Sequence, residues 1–400
     1  MEIPPEIQQQ ILKVRQDNPQ LTADMSDDDI VVLFQQAGLT LEHGKPMTFL
    51  VKRPEKTQES VNEPDPFTMS THECGVYGEQ LLVAGRWSEA ERYFLAQLEK
   101  GKEEANRDQQ AMAYSSLGKI HYFHGRGDQA MMLFRHALSL AEQSHNLRLS
   151  GMIYNDVGEV YRRQGNYPQA IAFYSTSLKI ATNIGNEESL AVVYGNLGII
   201  YKNQGNYEQA IKAYEKSLEY SIRQGIDRLT ANQYGNLGVV YGLTARYALA
   251  IDMHEKSLKI CMRLGDQKTI ANTYVNLGSV QAELGNYPEA KEMYQKALEI
   301  IQRIGDAPGI ALAYGNLGVL HQVAGDARQA TEYYEQALII LERIGDKHNA
   351  ARFHNNLGLL YYDQGLATQA RMHLGKAQAF FEMVGDEQNV QKVVQELQRL

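Results

Sequence analysis

Between residues 71 and 390 the apolar positions recur at two superimposed intervals. Within one stretch they fall three or four residues apart, as Tyr194, Leu197, Gly198 and Tyr201 do, and at about 100° per residue this collects them on one side of a helix. A second set, Ala210, Ile211, Tyr214, Ser217 and Leu218, does the same on the next stretch. The pair then returns forty residues on: Asn-Leu-Gly begins at Asn196, Asn236, Asn276, Asn316 and Asn356 with no insertion or deletion. Weaker copies at Asp156-Val157-Gly158, Ser116-Leu117-Gly118 and Val76-Tyr77-Gly78 extend the array backwards, to eight units in all. A helix pair of this size cannot bury its apolar side alone, so each unit must lean on its neighbours.

The spacing predicts two helices per unit. In the fourth, helix A runs from about Glu187 to Gln204, with Asn186 as its N-cap and Gly205 opening the turn; helix B follows from about Glu208 to Arg223. Sister copies sharpen these limits. Pro168 and Pro288 stand just inside helix B, where a missing N–H costs little. Gly185, Gly265, Gly305, Gly345 and Gly385 end the preceding helices, each followed by Asn or Asp that can cap the next. Small residues such as Gly198 and Ala210 let the two backbones of a unit approach, while Leu197 and Tyr201 fill the remaining space.

Outside the array the pattern changes. Residues 1–40 carry two short helical patterns, Glu6 to Arg15 and Asp27 to Gln36, and are expected to form a short N-terminal helical segment. Residues 41–70 lose the helical period and gather Pro46, Pro54, Pro64 and Pro66 among charges, the composition of a linker with a tendency to disorder. Eight units are expected over 71–390. Residues 391–400 are expected to belong to a C-terminal solvating helix, with Val394 and Leu397 in packing slots and a polar exterior.

The clearest unit reads Tyr-x2-Leu-Gly-x2-Tyr (Tyr194, Leu197, Gly198, Tyr201), then Gly205-Asn206-Tyr207, then Ala210 and Tyr214. This resembles the tetratricopeptide repeat (TPR), in a variant longer than the usual 34-residue unit. It is most similar to the repeats of the LGN/Pins scaffolds, of kinesin light chains and of bacterial TPR scaffolds. The resemblance implies an all-α, right-handed superhelical solenoid of about eight helix-turn-helix units plus a C-terminal capping helix. It also implies a non-enzymatic interaction scaffold that binds a peptide or protein segment in its concave groove. Intracellular peptide-pheromone receptors use similar repeats, so the alternative is a ligand-switched peptide receptor or regulator.

In such a superhelix the side of helix A away from its packing side lines the groove. Asn196, Asn236, Asn276, Asn316 and Asn356 then form a ladder, continued by Asp156 and Ser116. Each Asn offers a donor and an acceptor, suited either to an extended peptide backbone or to the neighbouring unit's helix. Ile199, Val239, Val319 and Leu359 stand beside the ladder as apolar contacts, and Gly195, Gly235 and Gly315 are expected to leave the wall bare. Arg162, Arg163 and Lys202, with Lys119, make the N-terminal half basic; Glu283 and Asp363 make the later half acidic. Clamp-type TPRs place an Asn where Ile199 stands to grip a C-terminal carboxylate, so that ligand class is not expected here.

Composition narrows the function further. A net charge of -9 lacks the basic footprint of nucleic-acid binding and disfavours anionic lipid. No apolar run approaches the roughly 18 residues of a membrane span, and Met1-Glu2-Ile3-Pro4-Pro5 does not open a signal peptide; a cytoplasmic protein is expected. Cys74 and Cys261 occupy slots filled elsewhere by apolar residues and are expected in the core rather than in a disulfide. His121 and His124 lie one helical turn apart, but no third ligand stands at metal spacing, and no cofactor is expected. No phosphate loop, nucleophile elbow or His-Glu-x-x-His occurs. The partner's identity and any self-association are not readable from the sequence.

Overall fold

The computed structural model describes residues 64–400, so the expectations for residues 1–63 lie outside the described residues. Among the described residues seventeen helices follow one another. They are α1 (Thr71–Val83), α2 (Trp87–Glu103), α3 (Arg107–Phe123), α4 (Gly127–Gln143), α5 (Leu147–Arg163), α6 (Tyr167–Asn183), α7 (Glu187–Asn203) and α8 (Tyr207–Arg223). Then come α9 (Asp227–Leu243), α10 (Tyr247–Leu264), α11 (Gln267–Glu283), α12 (Tyr287–Ile304), α13 (Ala307–Val323), α14 (Ala327–Ile344), α15 (Lys347–Asp363), α16 (Ala367–Met383) and α17 (Glu387–Arg399). Odd-numbered helices up to α15 are the A helices of eight hairpins, the even ones are the B helices, and α17 opens a ninth A position. No strand interrupts them among the described residues.

The turns explain why the period does not drift. Asn186, Asp266, Asp306, Asp346 and Asp386 each accept a hydrogen bond from the backbone N–H three residues on, which satisfies a donor the helix start would leave open. The residue before each of them is a glycine with φ between 66° and 73°, a region where a side chain is strained. Three turns carry that conformation without glycine, at Ala105, His145 and Ala245. Such a residue costs roughly 1–2 kcal/mol, so the tertiary packing on either side must hold it there.

Within each hairpin, helix B sends one large side chain under a glycine of helix A. Phe94, Phe134, Tyr174, Tyr214, His254, Tyr294, Tyr334 and Leu374 lie beneath Gly78, Gly118, Gly158, Gly198, Gly238, Gly278, Gly318 and Gly358 in turn. At Gly198 an added Cβ would sit 2.5 Å from the Tyr214 ring, which is why the position holds no side chain. Around these pairs the core is a row of satellite clusters rather than a single mass, for example Ala210, Ile211, Tyr214, Leu237 and Val240. Each cluster joins one unit to the next, as a repeat array requires.

Successive A helices also approach one another directly over most of the array, whereas each B helix contacts its own A helix and the next unit's. The A helices therefore share one face of the solenoid. At the N-terminal end Ser70 caps α1 in a reciprocal box with Glu73. Lys100 Nζ donates to the carbonyls of Phe67 and Met69 at 3.0 and 2.7 Å, which ties the preceding turn to α2. At the other end Val393 is the buried residue of α17, while Val394 and Leu397 are half-buried. No helix of the described residues is long and apolar enough to cross a membrane.

Candidate functional site: the face shared by the A helices

All five ladder asparagines are half-buried on the A helices, so each keeps part of its amide within reach of solvent. Their hydrogen bonds differ from unit to unit. Asn196 donates from Nδ2 to Asn155 Oδ1 of the preceding unit at 2.9 Å. Asn236 reaches Gln233 at 3.5 Å, too long to count for much, and Asn356 comes near the Tyr334 hydroxyl, which itself donates to Gln322. The side chains of Asn276 and Asn316 make no hydrogen bond among the described residues. In the earlier units the same column is satisfied internally: Asp156 accepts from Ser115 and pairs with Lys119, both at 2.9 Å, and Ser116 donates to Glu79 at 2.7 Å.

Beside the ladder, Ile199, Val239 and Leu359 are half-buried and Val319 is 41% exposed. Of the three glycines expected to leave the wall bare, Gly235 is half-buried, with only Ser257 Oγ at 3.6 Å from where its Cβ would be, and the other two do not leave it bare. Gly195 and Gly315 are buried, because the next unit's Gln233 and Phe353 lie where their side chains would be; a Cβ on Gly315 would stand 1.9 Å from the Phe353 ring. These glycines admit a neighbour rather than a ligand. Open space lies one unit on, in a cleft of about 410 Å³ lined by Val239, Gly242, His254, Asn276, Ser279 and Val280. A second cleft of about 530 Å³ lies at the N-terminal end, between Val76, Glu79, Phe94 and Met112.

The basic cluster contains a carboxylate that sequence reasoning passed over. Glu159 accepts from Arg162 Nε at 2.7 Å and from Arg163 Nε at 2.6 Å, and the Tyr174 hydroxyl donates to it at 3.1 Å. Burial alone would push the Glu159 carboxyl up, but hydrogen bonds and charge from the two arginines outweigh it and hold the group below the ordinary carboxylate range. The Arg163 guanidinium also lies 4.9 Å from the centre of the Phe123 ring. Lys202, by contrast, has no carboxylate partner among the described residues. Burial pushes its ammonium below the usual lysine range and the charge of Arg162 adds to the effect.

The row of helix B side chains beneath the glycines carries further polar groups. The hydroxyl of Tyr294 pairs with Ser279 at 3.0 Å and that of Tyr334 donates to Gln322 at 2.7 Å. The Tyr214 hydroxyl and His254 Nδ1 are buried with no hydrogen-bond partner. Burial lowers the His254 imidazole from the ordinary 6.5 to about 4, so it is neutral at pH 7. Both positions were legible as departures within a column: His254 interrupts a run of tyrosines, and Glu159 stands where Ile199, Val239 and Val319 stand elsewhere.

The remaining candidates are accounted for by packing. His121 Nδ1 lies 2.9 Å from Gln129 Oε1, its Nε2 lies 3.8 Å from Glu91, and His124 rests against Trp87. No group of three residues suited to a metal ion occurs among the described residues. Cys74 and Cys261 are free and buried, and burial pushes both thiols above the ordinary range.

Family models of the tetratricopeptide repeat match residues 149–222, 189–263, 269–343 and 309–383, and a second TPR model matches 110–147. No curated protein matches the chain. Among solved structures, the apo form of the quorum sensor NprR from B. thuringiensis is similar at a TM-score of 0.61, with 16% identity over 78% of this chain and 87% of that one. A signal-transduction ATPase with numerous domains and a TPR sensor, from Pyrococcus horikoshii, gives 0.61 at 18% identity over 80% of this chain and 49% of its own. A Rap protein complexed with competence and sporulation factor gives 0.54 at 14% identity over 82% and 96%. At these identities the likeness is one of fold. With the repeat models covering more than half of its length in the same forty-residue register as the hairpins, the chain belongs to the tetratricopeptide repeat family.

Proposed function

We propose that this protein is a non-enzymatic, cytoplasmic scaffold that binds a peptide or protein segment along the face shared by its A helices. The TPR solenoid is a protein-interaction fold, and the observation that carries the reading here is the state of the ladder. Asn276 and Asn316 are half-exposed and keep donors and acceptors that no other part of the described chain uses. An extended main chain can meet them whatever its sequence, while Ile199, Val239, Val319 and Leu359 offer apolar rests beside them. Asn196 has a double part, since its bond to Asn155 also joins two units. Arg162, Arg163 and Lys202 give the ligand a direction, its acidic end toward units three and four.

The test is a peptide-display selection on the full chain, followed by affinity and melting measurements on variants. The double change Asn276→Ala and Asn316→Ala is expected to weaken a selected peptide on the order of tenfold, at about 0.5–1.5 kcal/mol per lost bond, with the melting temperature unchanged. Equal affinity for the double variant and the parent removes the ladder from the site. A second reading, a ligand-switched regulator, is favoured by the likeness of fold to a quorum sensor. It requires a change in solution dimensions on binding, measurable by small-angle scattering, whereas a plain scaffold keeps its pitch.

A further inference from the structure

Units three and four place a tyrosine beneath a glycine and a cation one turn later, but differ at the residue that follows the glycine. In unit three Gly158 covers Tyr174, Arg162 follows one turn later, and Glu159 answers both, accepting from the Tyr174 hydroxyl at 3.1 Å and from Arg162 at 2.5 and 2.7 Å. In unit four Gly198 covers Tyr214 and Lys202 follows one turn later, but residue 199 is Ile. The Tyr214 side chain is fully buried and its hydroxyl has no hydrogen-bond partner. An unanswered buried hydroxyl is costly and uncommon, and units three, six and seven each answer theirs with a group from their own helix A.

Ile199 packs against the cluster that holds the Tyr214 ring, and Lys202, half-buried, stands one turn after Gly198 on the same helix face. In unit three the corresponding hydroxyl meets helix A at Glu159 and Arg162, so by the same register the Tyr214 hydroxyl is directed toward positions 199 and 202. The field of Arg162 reaches both groups: it adds to burial in lowering the Lys202 ammonium, and it opposes burial in raising the Tyr214 phenol. Counting Arg163, three cations face one carboxylate here.

We propose that Lys202, the Tyr214 hydroxyl and Arg162 form an anion subsite in the groove, which takes an acidic group of the ligand in the role that Glu159 plays in unit three. The subsite deepens the groove reading and rests on it for the claim that the anion belongs to a peptide. A carboxylate side chain and a phosphorylated one share the necessary chemistry, since each accepts from the phenol and pairs with the ammonium. Unit five continues the site without charge, because Gly242 stands where Lys202 does and leaves the cleft beside His254 for an apolar side chain.

Two measurements on the full chain separate the subsite from the groove. In the first, lysines are labelled by reductive 13C-methylation, the Lys202 signal is assigned by its loss in Lys202→Arg, and acetate and inorganic phosphate are titrated separately at constant ionic strength. A saturable shift of that signal, with several-fold weaker binding in Tyr214→Phe, is the expected result; the anion that saturates first identifies the preferred class. A Lys202 signal unmoved by either anion, or moved equally in Tyr214→Phe, overturns the subsite. In the second, displayed peptides selected on the parent are expected to carry Asp or Glu at one fixed place, and to bind Lys202→Gln about tenfold more weakly. Selected peptides without that acidic residue, bound equally by Lys202→Gln, overturn the subsite while leaving the groove reading intact. If no peptide is selected but the anion titration succeeds, the groove reading fails and the subsite stands.

Discussion

The two sides of the A helices obey different rules. On the packing side Leu117, Leu197, Leu237, Leu277, Leu317 and Leu357 are all buried, with Val157 taking the same place, and the glycine after each lies over a helix B side chain. On the shared face the column after that glycine reads Lys119, Glu159, Ile199, Val239, Ser279, Val319 and Leu359, and the column three residues on reads Tyr122, Arg162, Lys202, Gly242, Ala282, Gln322 and Tyr362. Every unit must solve the same packing problem with the same neighbours, so that side repeats. Nothing in the stacking requires the other side to repeat, and there each unit can meet a different part of a partner. The difference teaches where stability and where recognition should be sought.

The comparison is broken most severely by emptying the packing side. Leu317 is 1% exposed among Ala290, Tyr294 and Leu320, and Leu317→Ala is expected to cost about 2–5 kcal/mol. Because repeats contact only their neighbours, hydrogen exchange should show the loss in units six and seven first; a uniform loss of protection from α1 to α17 would contradict a modular core.

A titration comes next in size. His254 takes the place of Tyr214 and Tyr294 beneath a glycine, and burial holds it at about 4 against an ordinary 6.5. The unfolded chain takes up a proton below pH 6.5 that the folded chain refuses until about pH 4. Stability contributed by the neutral imidazole is therefore present above 6.5 and lost as pH falls through that window, by up to roughly 3 kcal/mol. His254→Tyr should flatten that part of the stability profile in chemical denaturation between pH 7 and 4. An unchanged slope would mean that His254 is protonated in the folded state.

Overfilling should cost less than emptying. Gly315→Ala sets a methyl against the Phe353 ring, itself 4% exposed, and about 1–3 kcal/mol is expected from thermal melts. The same change at Gly375, which has nothing within 4 Å of an added Cβ, is the control and should be neutral or slightly stabilising. The smallest effect belongs to the shared face: Asn196→Ala removes one bond to Asn155 and should cost about 0.5–1.5 kcal/mol. A loss as large as that of Leu317→Ala would make the ladder a structural element first and erase the contrast between the two sides.

The amino-acid sequence by itself determined the hairpins, their forty-residue period and their turns. Each follows from local chemistry: an Asn or Asp that caps, a glycine at positive φ, and apolar residues spaced at 3.6. The packing side was legible for the same reason, since its partners are one helix away in the chain. The candidate site was legible only as a set of columns. Asn196, Ile199 and Lys202 could be placed on one face, but whether an amide is spent on Asn155 or left open, as at Asn276, depends on residues a whole unit away. Gly195 and Gly315 read as bare wall until the next unit filled them with Gln233 and Phe353. Tyr214 read as core and is core, yet its hydroxyl was left unanswered by a change at residue 199 that looked merely apolar in sequence. Such distinctions lie in the stacking of one unit on another, because hydrogen-bond satisfaction and close approach are properties of pairs of elements, and no local pattern encodes them.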